Sequence, residues 1–390
     1  MAGLLVCEMG MRTGGFLIRQ RHRKSDRKEA SGFRILCVGD SHTEGLGADP
    51  GHEYPGQLEK MLQESARDGK TFTVYNKGEG GQNTAQLAEK FEGYLEQRRP
   101  QLVIMLSGAS NLDNYWGYGR YSGRGVFRFL LAKLRVIKAA QYFLKPLKEG
   151  PRAFKKREKD QNESAAGRQK EESHLIARKG YDYFFKGRYE QAVPAFREAL
   201  LKDPGNSGAW NGLGRVYRAL GFSGRAIEAF KKGIEADPAS NYNYDGLSMT
   251  LRESGNYEEG IKYFQTLLKI NPEAENYLQM FRKKNDILNE ARNWVKSDLS
   301  AIISLCREKG IKVILMNYPT REIFTDLYKE LAVQFGVPFI ENYEYFNDLI
   351  EKEESVNRYF TRGRVHCNSE GYKILAQRIY ARIKEEQYLP

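Results

Sequence analysis

The chain has 390 residues, of which 41% are hydrophobic and 12% aromatic, enough to bury two or three cores and too apolar for a wholly disordered chain. No stretch approaches about 18 uninterrupted apolar residues, which excludes a polytopic membrane protein. The net charge of +12 is local: residues 117–160 hold thirteen Lys/Arg against three acids and residues 1–34 eight against three, so the remainder is slightly acidic. No nucleic-acid motif accompanies this charge, and nucleic acid is not the expected partner. Cys7, Cys37, Cys306 and Cys367 lie far apart without a Cys-x-x-Cys pair, so neither a disulfide framework nor a zinc site is indicated.

Residues 1–30 form a basic N-terminal segment, too short and interrupted for a transmembrane helix and without a signal-peptide cleavage pattern. Beyond it, β-rich apolar runs end in Gly or Asn: 33–39, 72–76 and 102–108. Helical patterns near 53–67 and 83–98 separate them. Residues 126–147 read as a helix with Arg128, Arg135, Lys138 and Lys145 on one arc beside a broad apolar face. That pattern suits an anionic membrane surface, and equally a helix packed on the domain with a solvated basic edge. Residues 148–172, rich in Lys, Glu and Gln, read as an exposed linker.

A repeat follows. Gly187, Gly221 and Gly255 are spaced by 34 residues, as are Phe196, Phe230 and Phe264, and Pro204, Pro238 and Pro272. Ala192, Ala226 and Gly260 keep the same period, small residues where helices must approach closely. Each unit reads as two helices with a glycine turn between them, closed by Asp-Pro or Asn-Pro. Residues 174–280 thus resemble three tetratricopeptide repeats, either a spacer or a concave groove for a peptide or protein partner. After the repeat come two more apolar runs, 312–317 and 337–340, with helical patterns at 286–308, 321–335 and 369–386.

Strands alternating with helices imply a parallel sheet covered on both faces. The expected architecture is a doubly wound five-stranded α/β domain, residues 31–116 and 281–390, interrupted by the basic segment 117–173 and the all-α repeat. In such sheets ligands bind beyond the carboxyl ends of the strands. The unusual residues cluster there: Gly39-Asp40-Ser41 after the first strand, "NKGEGGQNT" (76–84) after the second, "SGASN" (107–111) after the third, and His366 before the last helix.

These four blocks, in this order, resemble the SGNH (GDSL-type) hydrolase family, a flavodoxin-like three-layer fold. The resemblance implies Ser41 as nucleophile and His366 as base, supported by Asn368, Gly371 and Tyr372. It also implies an oxyanion hole from the N–H groups of Ser41 and Gly81 with Asn111, and no metal or organic cofactor. Two positions depart from the pattern. The usual Gly-x-Asn is Gly108-Ala109-Ser110-Asn111, so either Asn111 shifts by one residue or Ser110 donates a hydroxyl instead. The triad Asp, two or three residues before the histidine, is replaced by Arg364 and Gly363.

Two readings stand. One is a serine esterase or acyl-transferring hydrolase acting on an ester such as an O-acyl group of a carbohydrate or lipid. The other is a weak or inactive adaptor whose repeat binds a protein. Repeat-bearing relatives carry an apolar anchor before such a stretch, so the resemblance also implies an extracytoplasmic, membrane-associated protein.

Overall fold

A computed structural model describes residues 32–67, 69–114, 165–353, 357–361 and 364–390. The basic segment 1–30, the helix expected over 126–147 and Gly363 lie outside them. The expected apolar runs form five strands: β1 (Phe33–Gly39), β2 (Phe72–Gly78), β3 (Leu102–Leu106), β4 (Lys312–Met316) and β5 (Phe339–Ile340). They make one parallel sheet in the order β2-β1-β3-β4-β5. Ile35–Val38 and all of β3 are fully buried, which is why these strands read as continuous apolar runs without alternation. Leu102 pairs with Lys312 and Met105 with Leu315, so the repeat is looped out between adjacent strands.

Helix α1 (Ser41–Glu44) follows β1, α2 (Tyr54–Glu64) leads to β2, and α3 (Thr84–Arg98) leads to β3. The α2 crossover steps from β1 to one neighbour and the α3 crossover steps back over β1 to the other. With right-handed connections this puts the two helices on opposite faces of the sheet.

The repeat is three helix pairs: α4 (Ala165–Phe185) with α5 (Tyr189–Lys202), α6 (Ser207–Leu220) with α7 (Ser223–Ala236), and α8 (Asn241–Ser254) with α9 (Tyr257–Leu267). Residues 165–172, expected in a linker, instead open α4. The periodic glycines turn each pair with left-handed backbone, at φ +71°, +83° and +83°. The periodic phenylalanines are fully buried. A Cβ at Gly212 would stand 2.2 Å from the Phe196 ring, and one at Gly246 2.2 Å from Phe230, so each ring seats on a glycine of the next pair.

The repeat does not end at a linker. Helix α10 (Ala274–Glu308) runs 35 residues, about 50 Å. Its first turns cap the repeat, with the Phe281 ring stacked 5.4 Å from Phe264. Its later turns bury Val295, Leu299 and Ile303 in the α/β half, packing along α3. The division expected at 280/281 therefore falls inside one rigid helix. Helix α11 (Thr325–Phe335) follows β4, and α13 (Ser369–Glu385), packed with α2, closes the chain. Helix α12 (Tyr343–Glu353) is not among the expected elements: its buried Phe346 and Ile350 are sparse within an acidic, tyrosine-rich stretch. Among the described residues no helix is long and apolar enough to cross a membrane.

Candidate active site

The site begins where β1 stops. Gly39 lies so close to β3 that a Cβ there would stand 2.0 Å from the Leu106 carbonyl oxygen and 2.4 Å from Thr43 Oγ1. Asp40 then caps α1, its Oδ1 accepting from the His42 N–H at 3.1 Å, and Ser41 becomes the first helical residue.

The chain entering α13 is folded back by a bridge between Phe360 and Cys367. The Thr361 N–H donates to the His366 carbonyl at 2.9 Å, fixing that turn. Asn368 caps α13 by accepting from the N–H groups of Glu370 and Gly371. A Cβ on Gly371 would meet the Tyr359 carbonyl oxygen at 2.1 Å, and the Tyr372 hydroxyl donates to the Leu46 carbonyl at 3.0 Å. These contacts draw α13 onto the loop after α1. The result is a separation of 2.9 Å between Ser41 Oγ and His366 Nε2, across 325 residues.

His366 is held neutral. Burial pushes its pKa down to about 3, and nearby His42 and Arg321 add to the fall while Asp40 opposes it. The His42 ring lies 4.8 Å from the His366 ring, and His42 Nε2 is 3.2 Å from Thr320 Oγ1. Among the described residues the one histidine–carboxylate contact is His42 Nδ1 to Asp40 Oδ1, at 3.5 Å, and none involves His366. Asp40 itself is fully enclosed. Burial would push its carboxyl up, but His42 and the Tyr318 hydroxyl, donating at 2.6 Å, outweigh that and hold it below the usual carboxylate range. The Tyr318 hydroxyl also accepts from the Ala109 N–H at 3.0 Å, so one polar chain joins the ends of β1, β3 and β4.

The loop after β2 comes up beside the serine. A Cβ on Gly80 would lie 3.9 Å from Ser41 Cβ, and the Gly80 N–H is taken by Glu44 Oε2 at 2.7 Å. Gly81 has φ +78°, and Asn114 Nδ2 donates to its carbonyl at 2.9 Å. Among the described residues the N–H groups of Ser41 and Gly81 meet no acceptor, as an oxyanion hole requires.

Asn111 does not join them, which corrects the expectation. It is fully buried, its Oδ1 accepting from the Thr84 N–H at 3.1 Å and its Nδ2 donating to Thr84 Oγ1 at 2.9 Å. The amide ties the third-strand loop to the start of α3. Ser110, like Ala109, is half-buried in the 3-10 turn Ala109–Leu112. Arg364 also fails to face the imidazole, its guanidinium reaching the carbonyls of Pro319 and Gly221.

The sequence reading missed Asp40, His42, Tyr318 and Thr320. Tyr318 and Thr320 directly follow β4, where the strand-end rule already pointed. Among the described residues no group of three or more His, Cys, Asp or Glu is arranged to hold a metal.

The sequence profile of the GDSL-like lipase/acylhydrolase family matches residues 37–184, leaving the half with His366 outside the match. Two tetratricopeptide-repeat profiles match residues 178–241 and 243–273. No curated protein matches the chain in sequence. Among solved structures, LAE5, an alpha/beta hydrolase enzyme from the metagenome of Lake Arreo, Spain, is 11% identical over 90% of this chain and 95% of its own, with a TM-score of 0.38. The first TPR domain of human RPAP3 is 22% identical over 31% and 95%, with a TM-score of 0.26. The TPR2B domain of yeast Sti1, solved as a complex with pHsp70, is 20% identical over 33% and 98%, with a TM-score of 0.25. Residues 37–184 thus match a GDSL-like lipase/acylhydrolase domain, and the tetratricopeptide repeats lie between the third and fourth strands of the sheet.

Proposed function

We propose that the protein is a serine ester hydrolase or acyl-transferring hydrolase, and the observation that carries this is the 2.9 Å Ser41–His366 contact at the carboxyl ends of the strands. Ser41 Oγ attacks the ester carbonyl carbon while His366 Nε2 takes its proton. The N–H groups of Ser41 and Gly81, with the Ser110 hydroxyl, hold the oxyanion. Collapse breaks the bond to the alcohol, which leaves with the proton from His366. Water or a sugar hydroxyl then attacks the acyl-enzyme and returns the serine. The test is labelling by a fluorophosphonate probe together with hydrolysis of a short-chain aryl ester.

A second reading has its own observation. No carboxylate touches His366 among the described residues, and an imidazole with a pKa of about 3 is a weak base. Loss of the orienting acid costs roughly 10⁴ in rate in serine proteases. A non-catalytic adaptor, recruiting a protein or peptide through the repeat, fits that weakness. Unlabelled wild-type protein that still captures a partner would decide for it. For a membrane surface, the basic segments proposed as its contact lie outside the described residues.

The oxyanion assignment separates two neighbouring residues. Asn111→Ala strands the buried Thr84 N–H and is expected to cost about 1–3 kcal/mol of stability, with labelling per folded molecule unchanged. Ser110→Ala is expected to leave stability alone and lower kcat about tenfold, short of the roughly 10²–10³ of an amide donor. Reversed effects would return Asn111 to the hole.

The low pKa of His366 also sets a pH response. The acid limb of kcat/KM is expected near pH 3, well below the ordinary histidine value of 6.5. Stability moves with it. The unfolded chain takes up the proton first, so the contribution is complete above pH 6.5 and is lost as pH falls toward 3. The slope approaches roughly 1.4 kcal/mol per pH unit. His366→Asn should flatten this part of the unfolding profile. An unchanged profile would mean that His366 titrates normally.

A further inference from the structure

Arg364 occupies the stretch where the family spacing places the triad acid, yet it is used for something else. It is 9% exposed, with left-handed backbone at φ +52°. Its Nη2 donates to the Pro319 carbonyl at 2.8 Å, and its Nη1 donates to the Gly221 carbonyl at 3.3 Å, 143 residues away in the chain. The guanidinium carbon sits 4.9 Å from the Phe360 ring centre and 5.5 Å from that of Tyr343.

Three of these four partners belong to three different parts of the fold. Gly221 is the turn between α6 and α7, the middle pair of the repeat. Pro319 stands between Tyr318, which bonds Asp40, and Thr320, which touches His42. Phe360 is bridged to Cys367, next to His366. Other contacts run the same way: Arg225 of α7 is 3.9 Å from Glu351 of α12, and a Cβ on Gly255 would lie 3.5 Å from the Glu322 carbonyl oxygen. The repeat thus docks its turns on the two loops that frame the serine–histidine pair.

Such an arrangement is poorly explained as stabilisation alone. The buried Arg364 Nε meets no acceptor among the described residues, and a non-glycine residue in left-handed backbone is itself unfavourable. A planar guanidinium, however, can donate to two loops at once with fixed geometry.

We propose that Arg364 is a positioning residue that clamps the Gly221 turn of the repeat, the loop after β4 and the His366 turn into one unit, so that the repeat stack sets the alignment of His366 on Ser41. The proposal rests on the ester-hydrolase reading for its effect on turnover, and on geometry alone for the clamp.

The test compares the full chain with Arg364→Met and Arg364→Lys, which keep a long unbranched side chain on the same backbone. The readouts are the rate of fluorophosphonate labelling, kcat and KM on a short-chain aryl ester, and amide hydrogen exchange over 218–224 and 361–367. Arg364→Met is expected to lower labelling and kcat roughly 10- to 100-fold with KM within about threefold, the signature of a misaligned site. Exchange should quicken in both segments together. Arg364→Lys, with one donor head, should recover part of each effect. A folded Met variant with wild-type kcat, or one loosened at 361–367 but not at 218–224, overturns the proposal. If Met does not fold, the Lys variant answers the same questions, and Lys values equal to wild type overturn it. If the wild-type chain is not labelled at all, the hydrolase reading falls while the exchange measurement still decides the clamp.

Discussion

Ser41→Ala is expected to abolish fluorophosphonate labelling and aryl-ester hydrolysis while leaving the fold intact. The hydroxyl has one described side-chain partner, His366 Nε2, so removing it leaves no buried group of the core unpaired. Loss of the nucleophile costs roughly 10⁶ in kcat where the machinery is complete. Among the described residues no carboxylate contacts His366, so the measurable fall is expected to be set by the wild-type rate above background. The substitution should leave the unfolding midpoint near wild type, since Asp40 still caps α1 through the His42 N–H. Hydrolysis or labelling that survives in Ser41→Ala would take the nucleophile role away from this residue, and with it the reading of the whole site.

Arg364→Asp tests the missing acid from the opposite side. Family spacing alone makes this substitution a candidate for restoring the triad, but the structure predicts collapse. An aspartate there is too short to reach the carbonyl oxygens of Pro319 and Gly221, leaves both without the donor they have now, and vacates the space beside Phe360 and Tyr343. A buried charge without a partner costs several kcal/mol or forces protonation, and the loss expected in a denaturant titration is about 3–5 kcal/mol. No gain in turnover should accompany it, because the side chain at 364 is directed away from the imidazole. A stable and more active Arg364→Asp protein would show that the arginine is dispensable and that the acid belongs at 364. Gly363→Asp has the Asp-x-x-His spacing instead, and a rise in kcat is the outcome expected if His366 lacks only its orienting group.

Much of this protein was legible from local chemistry. The five apolar runs, four of them ending in Gly or Asn, mark the strands because a parallel sheet buried on both faces leaves little polar alternation to confuse the pattern. The 34-residue period of Gly187, Gly221 and Gly255 marks the helix pairs because each turn needs left-handed backbone, and the rings of Phe196 and Phe230 seat on glycines of the next pair. Ser41 and Gly81 stand out because they lie just beyond strand ends, and His366 because it stands just before the last helix. What remained illegible depends on partners distant in the chain. That Asn111 bonds Thr84, that Tyr318 serves both Asp40 and Ala109, and that Arg364 reaches Gly221 are facts of packing, and no spacing along the chain encodes them. The run of α10 through the expected domain boundary is of the same kind. A helical pattern shows where its apolar stripe lies, but only the assembled structure decides that one stripe covers Phe264 at one end and packs along α3 at the other. Sequence marked most of the elements and the candidate site residues Ser41, Gly81 and His366. Tertiary structure decided which polar groups meet, because buried donors and acceptors must be satisfied by whatever the fold brings beside them.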